Sequence, residues 1–342
     1  MGSRGTRRYG RRSIVLAAVV GIFTAACAIP YPPPPAPPPP SPAPPPAPPP
    51  PPTGQCAMFP EDNYWHADVS GLPVHPRSDD YIASIGWDRY VHADFGSGLW
   101  EGSTIGIPWT EVDGDQPTVP ISFYYEDESD PGPYPIPPNA PIQGGPDSDG
   151  DRHVIVVETG SCTLYEVYDA WPQPNGSWEA GSGAVWDLSS NAFRPAGWTS
   201  SNAAGTPLLP GLVQYDEVAN DTLDHAIHVT VPATQKSYVW PATHWASYST
   251  NPNLPPMGLW LRLRADFDTS GYSPQVQVIM EAMKKHGVIV TDNGSPWFLS
   301  GVPDERWDND MLRQLRDIKG HDFEALDVSS LMVSPDSGQV NQ

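Results

Sequence analysis

The sequence lacks the signatures of several common enzyme classes. It contains no GxSxG elbow, no HExxH pair, no phosphate-binding P-loop and no CxxC motif. It therefore gives no indication of an elbow-type serine hydrolase, a zinc protease of the HExxH type, a P-loop nucleotide hydrolase or a thiol redox enzyme. Any chemistry must come from residues that the fold brings together.

Cysteine is scarce, because the chain holds only Cys27, Cys56 and Cys162. Three thiols are too few for a structural zinc site built on four thiolates. If Cys27 is cleaved off or modified, Cys56 and Cys162 remain. In an oxidising compartment these two most simply form one disulfide.

Basic residues are also few, with 18 Lys and Arg against 40 Asp and Glu, a net charge of −22. Five of the arginines lie in residues 1–28, and without them 13 basic residues face 40 acidic ones, a net charge of −27. Such a chain is repelled by nucleic acid and by anionic lipid surfaces. Neutral glycans, cations and basic partners stay possible, and the charge could equally serve solubility alone.

The apolar run at residues 14–26 has 13 residues, whereas a membrane span needs about 20. Because arginines precede the run, residues 1–28 are predicted to be an export signal. Small residues precede Cys27, as in a bacterial lipobox, so Cys27 is either lipidated or lies at an ordinary cleavage site. We expect an exported protein, extracellular or anchored in the cell envelope, that meets a membrane only through this N-terminus.

Residues 29–53 form a proline-rich segment, in which 18 of the 23 residues from 30 to 52 are proline. Such a segment has no core and adopts polyproline II, so we expect a disordered, stiff stalk about 70 Å long at roughly 3.1 Å per residue. Residues 54–328 have the composition of a single β-rich globular domain. Residues 329–342 are predicted to be a flexible tail.

The central stretch of the domain, residues 153–171, predicts a β-hairpin that turns at Thr159-Gly160. A second hairpin is predicted at 288–299, around an Asn-Gly turn, and helices at 78–85, 273–286 and 308–318. Further strands are expected at 104–109, 119–125, 182–188, 224–231, 237–240 and 258–265. The pattern predicts a mainly β fold, a β-sandwich or jelly-roll-like domain with two or three marginal helices.

The central hairpin also supplies the candidate catalytic residues. A two-residue turn places His153 directly opposite Glu166, whereas a three-residue turn would place Val167 there. A carboxylate beside an imidazole can orient its tautomer for general acid/base catalysis, with His225 brought in from a neighbouring strand. The alternative is a structural hydrogen bond between His153 and Glu166.

Two further features bear on ligands. Asp147, Asp149 and Asp151 alternate as in the start of a calcium loop, or form a solvated acidic turn without metal. Sugar-binding clefts stack pyranose rings on aromatic side chains, and the domain contains all 13 tryptophans, which could equally fill an irregular core. Those expected in loops or near turns, where a ring could be exposed, are Trp65, Trp100, Trp109, Trp178, Trp186, Trp198 and Trp245.

Several runs resemble a group of secreted bacterial proteins, among them DPGPYPIPPNAPI, GDRHVIVVE, CTLYEVYDAW and GVIVTDNGSPWFLSG. The resemblance covers nearly the whole domain and implies one module, without assigning an activity or a catalytic residue. Together these features favour a protein that binds or processes extracellular polysaccharide, as a glycoside hydrolase or lyase. The alternative is a non-catalytic protein of the cell surface or wall.

Overall fold

A computed structural model describes residues 56–341. The predicted export signal at 1–28, with Cys27 as its candidate lipidation site, and the predicted proline-rich stalk at 29–53 lie outside the described residues. None of the helices in the described part is long and apolar enough to cross a membrane.

Most of the regular structure is short strands. In chain order they are β1 His92–Asp94, β2 Leu99–Trp100, β3 Ser103–Thr104, β4 Thr110–Val112, β5 Ile121–Phe123, β6 Val154–Glu158, β7 Thr163–Tyr168, β8 Trp171–Pro172, β9 Trp178–Ala180, β10 Ser182–Asp187, β11 Ile227–Val231, β12 Trp260–Leu263, β13 Val288–Asn293, β14 Phe298–Ser300 and β15 Phe323–Ala325. The α-helices are α1 Ser78–Gly86, α2 Tyr215–Ala219, α3 Pro274–Lys285 and α4 Asn309–Leu312, and short 3-10 turns complete the set.

The strands form several separate sheets. The largest has six strands in the order β1-β14-β11-β13-β12-β15 and mixes parallel and antiparallel pairs. A four-stranded sheet has the order β10-β7-β6-β4, and a three-stranded sheet has the order β5-β9-β8. A mainly β fold is therefore confirmed, whereas a jelly-roll-like strand order is not.

Three apolar clusters hold these sheets together. One packs helices α1 and α3 on the six-stranded sheet, with α3 contributing Val276, Ile279 and Met283. A second contains Trp65, Ile155 and Trp260, and thus joins the six-stranded sheet to the four-stranded one. A third, around Tyr134, Val154 and Trp178, packs the four-stranded sheet against the three-stranded one. The central hairpin contributes one face to each of the last two clusters, so it is packed on both sides.

Local signals predicted the longest helix well. Helix α3 has Ser273 as its N-cap, Pro274 in its first turn and Lys284 and Lys285 in its last turn, as expected. Helix α1 also lies where expected, but Ser78 does not cap it. The Ser78 hydroxyl instead accepts a hydrogen bond from the Ala325 amide at 2.9 Å, which ties α1 to β15.

Three of the predicted strands lie where expected. Strands β10, β11 and β12 lie within the expected segments 182–188, 224–231 and 258–265. The segment 237–240 makes only one bridge, from Tyr238 to Met257. The second hairpin prediction is wrong, because β11 lies between β13 and β14 and pairs with both.

The predicted disulfide is confirmed. Cys56 is bonded to Cys162, with their Cα atoms 5.4 Å apart and a sequence separation of 106. It ties the first described residue to the turn of the central hairpin. A disulfide is typical of proteins outside the cytoplasm.

The predicted tail at residues 329–342 lies against the domain as far as it is described. The Val340 side chain is buried, and its amide donates to the Asp62 carbonyl at 2.9 Å. Ser337 forms a bridge with Ala192. This segment is therefore docked rather than free in the structure.

Candidate functional site

The central hairpin has a longer turn than the sequence indicated. Glu158 pairs with Thr163, so the turn is the four residues 159–162, and Ile155 stands opposite Glu166. The Glu158 carboxylate accepts hydrogen bonds from the Gly160 and Ser161 amides, which stabilises the longer turn. The predicted direct pairing of His153 with Glu166 is therefore wrong, although both still belong to the same face of the hairpin.

Glu166 is fully buried, with an exposed fraction of 0%. Its carboxylate accepts hydrogen bonds from the Leu208 and Leu209 amides at 2.8 Å, from Ser201 Oγ at 3.0 Å and from Trp186 Nε1 at 3.2 Å. Burial raises the pKa of Glu166 to about 7, against the opposing effect of these donors. The arrangement anchors residues 201–209 to the hairpin and leaves the carboxylate no open side.

His153 meets Glu166 only through Ser201. His153 Nε2 donates to the Ser201 carbonyl at 2.7 Å, while the Ser201 hydroxyl donates to Glu166. The other ring nitrogen of His153 faces the Gln143 side-chain amide. Burial lowers the pKa of His153, against the opposing charge of Asp151, and both ring nitrogens are engaged in these structural contacts.

His225 lies apart from this pair. Its Nε2 is 3.3 Å from Glu217 Oε2, and its Nδ1 donates to the Ala226 carbonyl at 2.8 Å. Burial by itself would lower the pKa of His225, but the charge and hydrogen bond of Glu217 outweigh it and raise the pKa. His153, Glu166 and His225 do not converge in an open cleft, so the geometry gives no support to the catalytic role predicted for them.

The predicted calcium loop uses its carbonyls for a different cation. The Gly145, Pro146 and Ser148 carbonyls accept hydrogen bonds from Arg152 Nη1 at 3.3, 2.9 and 3.0 Å. The side chains of Asp147, Asp149 and Asp151 are exposed. Among residues 56–341 no group of three or more His, Cys, Asp and Glu side chains is arranged to hold a metal ion. The structure thus gives the predicted calcium site no support, because the backbone carbonyls of this loop already accept hydrogen bonds from the Arg152 guanidinium.

The open end of the central hairpin has an unusual backbone. Arg152 and Asp169, on either side of it, have φ angles of +51° and +52°, in the left-handed region that non-glycine residues seldom adopt. The chain segments stay paired there, since the Asp169 amide donates to the Asp151 carbonyl at 2.8 Å and the Ala170 amide to the Arg152 carbonyl at 3.3 Å. Backbone strain held in place by its surroundings is frequent at functional sites.

This backbone supports an immobilised and exposed tryptophan. The Arg152 guanidinium carbon lies 3.5 Å from the centre of the Trp171 ring, a cation–π contact beneath one face. Trp171 Nε1 donates to Asp169 Oδ1 at 2.6 Å. Arg152 itself is buried and also donates to the Ala170 carbonyl at 3.0 Å. Trp171 is nevertheless 42% exposed, so its ring is fixed and presented to solvent.

Trp171 lines an open groove of about 320 Å³ on the three-stranded sheet, which we call the Trp171 groove. Trp171 of β8 pairs with Glu179 of β9, and Glu179 pairs with Ser122 of β5, so these three side chains belong to one face. Tyr124 is 83% exposed and borders the groove beyond β5. The groove is lined mainly by Ser122, Phe123, Tyr124, Asp169, Trp171 and Glu179.

Two carboxylates, Asp151 and Asp292, interact electrostatically near the open end of the central hairpin. Asp292 is partly buried at the end of β13 and accepts hydrogen bonds from the Asn293 amide at 2.7 Å and the Ala203 amide at 3.4 Å. Burial and the charge of Asp151 raise the pKa of Asp292 to about 7. Burial, and then the charges of Asp151, Asp169 and Asp292, raise the pKa of Tyr168, whose neighbour Asp169 lines the groove. A carboxylic acid whose pKa is raised to near neutral pH is suited to general acid catalysis.

Sequence reasoning found the central hairpin but missed its exposed ring. Of the tryptophans expected to be exposed, Trp65, Trp109, Trp178 and Trp186 are buried, Trp198 and Trp245 are half-buried, and Trp100 is 72% exposed. Trp171 was not among them. The signal that could have found it is its position just past the strand end, two residues after Asp169, whose short carboxylate can accept from the indole.

Comparison of this chain with protein families, with curated proteins and with solved structures finds no match in any of the three.

Proposed function

We propose that this protein is exported, is associated with the cell envelope and binds extracellular polysaccharide in the Trp171 groove. The observation that carries the proposal is the geometry of Trp171. Its ring is supported from below by Arg152, fixed at its edge by Asp169 and exposed beside two carboxylates.

A fixed indole is suited to a sugar ring for two reasons. The C–H-rich face of a pyranose covers an aromatic face well, and removing both apolar surfaces from water contributes roughly 25 cal/mol per Å². Because Trp171 is already held in one orientation, binding does not require ordering it, and that lowers the entropic cost. The carboxylates of Asp169 and Glu179 can accept hydrogen bonds from hydroxyl groups at the edge of the ring.

The proposed location rests on the disulfide and on the predicted N-terminal segments. A Cys56–Cys162 disulfide persists in an oxidising compartment. A lipidated Cys27 followed by a polyproline stalk would hold the domain at a distance from a membrane, within reach of envelope glycans. With ordinary cleavage of the signal, the same domain would act as a released binding protein.

Replacing Trp171 by alanine should weaken binding of the best glycan by at least about tenfold, the size expected for losing one central aromatic contact. The ligand is first found by screening the purified protein against a glycan array, and affinities are then measured by calorimetry. Trp87→Ala is the matched control, since Trp87 is 44% exposed and lies outside the groove. Equal affinities for the two variants, or no glycan bound at all, would refute the proposed function.

Cleavage of the bound polysaccharide, by hydrolysis or elimination, is the second candidate function. The carboxyl group of Asp292 favours it, because burial and the charge of Asp151 raise the pKa of Asp292 to about 7, so that Asp292 can donate a proton near neutral pH. The Asp151 carbonyl accepts a hydrogen bond from the amide of Asp169, which lines the groove. The assay is release of new reducing ends or of unsaturated products from the glycans that bind.

The Asp292→Asn variant tests the role of this carboxylate through its pH dependence. Since the pKa of Asp292 is about 7 in the folded protein and about 4 in an unfolded chain, the folded state holds the proton more tightly. The stabilisation that this tighter proton binding gives the folded state is therefore complete below about pH 4. It is lost as the pH rises to about 7. We expect Asp292→Asn to raise the melting temperature relative to wild type at pH 8 but not at pH 4, and to abolish any cleavage. If the difference in melting temperature between Asp292→Asn and wild type were the same at pH 4 and pH 8, that result would contradict the raised pKa of Asp292.

A further inference from the structure

The Trp171 groove is acidic at the place where a stacked sugar would carry its substituents. Glu179 stands directly opposite Trp171 in the β8–β9 pair, so its carboxylate is beside the ring rather than beneath it. Asp169 approaches the same ring from its Nε1 edge. Both line the groove, and none of the groove-lining side chains is basic.

The carboxylate of Glu179 is free to meet a ligand. The side chain is exposed, and within the described part of the chain it accepts no hydrogen bond and makes no ion pair. Arg152, the basic group under the groove, makes no ion pair with Glu179, because its guanidinium is covered by the Trp171 ring and donates to four backbone carbonyls. A cationic substituent on a bound sugar would therefore find a carboxylate that has no ion-pair partner among the described residues.

The charge of the whole chain acts in the same direction. With 40 acidic and 18 basic residues, the protein attracts polycations and repels polyanions such as uronic acid polymers. The long-range field and the local groove thus favour the same class of glycan.

We propose, on the basis of the proposed glycan-binding function, that the groove selects polysaccharides with free amino groups, of the glucosamine type, over N-acetylated and neutral chains. The sugar ring stacks on Trp171, and its ammonium group donates a charge-assisted hydrogen bond to Glu179. Acetylation removes the positive charge and adds bulk at the same position. A uronic acid places a like charge against Glu179 and Asp169.

Three hexasaccharides test this selectivity by calorimetry at pH 5.5, where the amino groups are protonated: β-1,4-linked glucosamine, its N-acetylated form and the neutral glucose analogue. We expect the glucosamine hexamer to bind about tenfold more tightly than the other two at low salt, as for a hydrogen bond to a charged group. The preference should shrink when salt is raised, because salt screens the ion pair and not the stacking.

Variants of Glu179 and Trp171 distinguish the effect of the carboxylate from the effect of stacking on the indole ring. Glu179→Gln should remove the preference for glucosamine over the neutral hexamer, whereas Glu305→Gln, which changes an exposed carboxylate outside the groove, should leave that preference in place. Trp171→Ala should weaken all three ligands. Equal binding of the amino and N-acetyl hexamers, still lost in Trp171→Ala, would overturn the selectivity and leave the proposed function standing. Failure of all three to bind, together with no other glycan bound on the array, would overturn both.

Discussion

Glu166→Ala should lower the free energy of unfolding by about 4 kcal/mol or more. The carboxylate accepts hydrogen bonds from four buried donor groups, the Leu208 and Leu209 amides, Ser201 Oγ and Trp186 Nε1. An orphaned buried donor costs about 1–3 kcal/mol, so even the lower figure for each of the four gives this loss before the cavity is counted. Urea denaturation at pH 8 measures the effect.

Glu179→Ala is the control for this variant, since Glu179 is exposed and a surface change of this kind stays within about 0.5 kcal/mol. A loss below about 1 kcal/mol in Glu166→Ala would show that the carboxylate does not anchor residues 201–209. A stable Glu166→Ala protein that had lost an activity would restore Glu166 as a catalytic candidate.

Removal of the disulfide should have an effect of similar size. The double variant Cys56→Ser, Cys162→Ser opens a loop closed across a sequence separation of 106. For a loop of this length, chain entropy predicts that the free energy of unfolding falls by about 4–5 kcal/mol. Denaturation of the double variant should match that of wild type kept in reductant. The double variant itself should not respond to reductant. A loss under about 2 kcal/mol, or free thiols found by mass spectrometry in the purified oxidised protein, would contradict the prediction.

The sequence correctly predicted the features that depend on residues close together in the chain or on simple counting. Pro274 and the lysine pair of α3 bracket a helix whose ends depend on capping and the helix dipole, and both ends were right. The pairing of Cys56 with Cys162 followed from counting, since only these two cysteines remain once Cys27 is set aside. The face shared by His153 and Glu166 also followed from alternation along the strands.

Register and strand order depend on contacts that no local pattern shows. The hairpin turn was judged from Thr159-Gly160, but the Glu158 carboxylate takes two turn amides and lengthens the turn by two residues. The Asn-Gly signal at 293–294 marks a real change of direction after β13. The chain then crosses to the far side of β11, because that strand presents an open edge to β14.

The candidate site was missed for a similar reason. The spacing of Asp147, Asp149 and Asp151 is compatible with calcium, but the carbonyls of that loop are satisfied by Arg152, which only the fold places there. The same guanidinium supports Trp171. Arg152 thus satisfies the loop carbonyls that a calcium ion would need, and it also holds the exposed Trp171 ring in place. No local sequence pattern shows either contact, because tertiary packing sets the position of Arg152.

The most direct test of the account is a crystal structure of the protein with the tightest-binding oligosaccharide from the glycan screen. The account predicts a pyranose ring stacked on the solvent-facing side of Trp171, with Tyr124 at one end of the groove and Glu179 within hydrogen-bond distance of a ring substituent. A sugar bound elsewhere, for example on the exposed ring of Trp100 with the Trp171 groove empty, would contradict it.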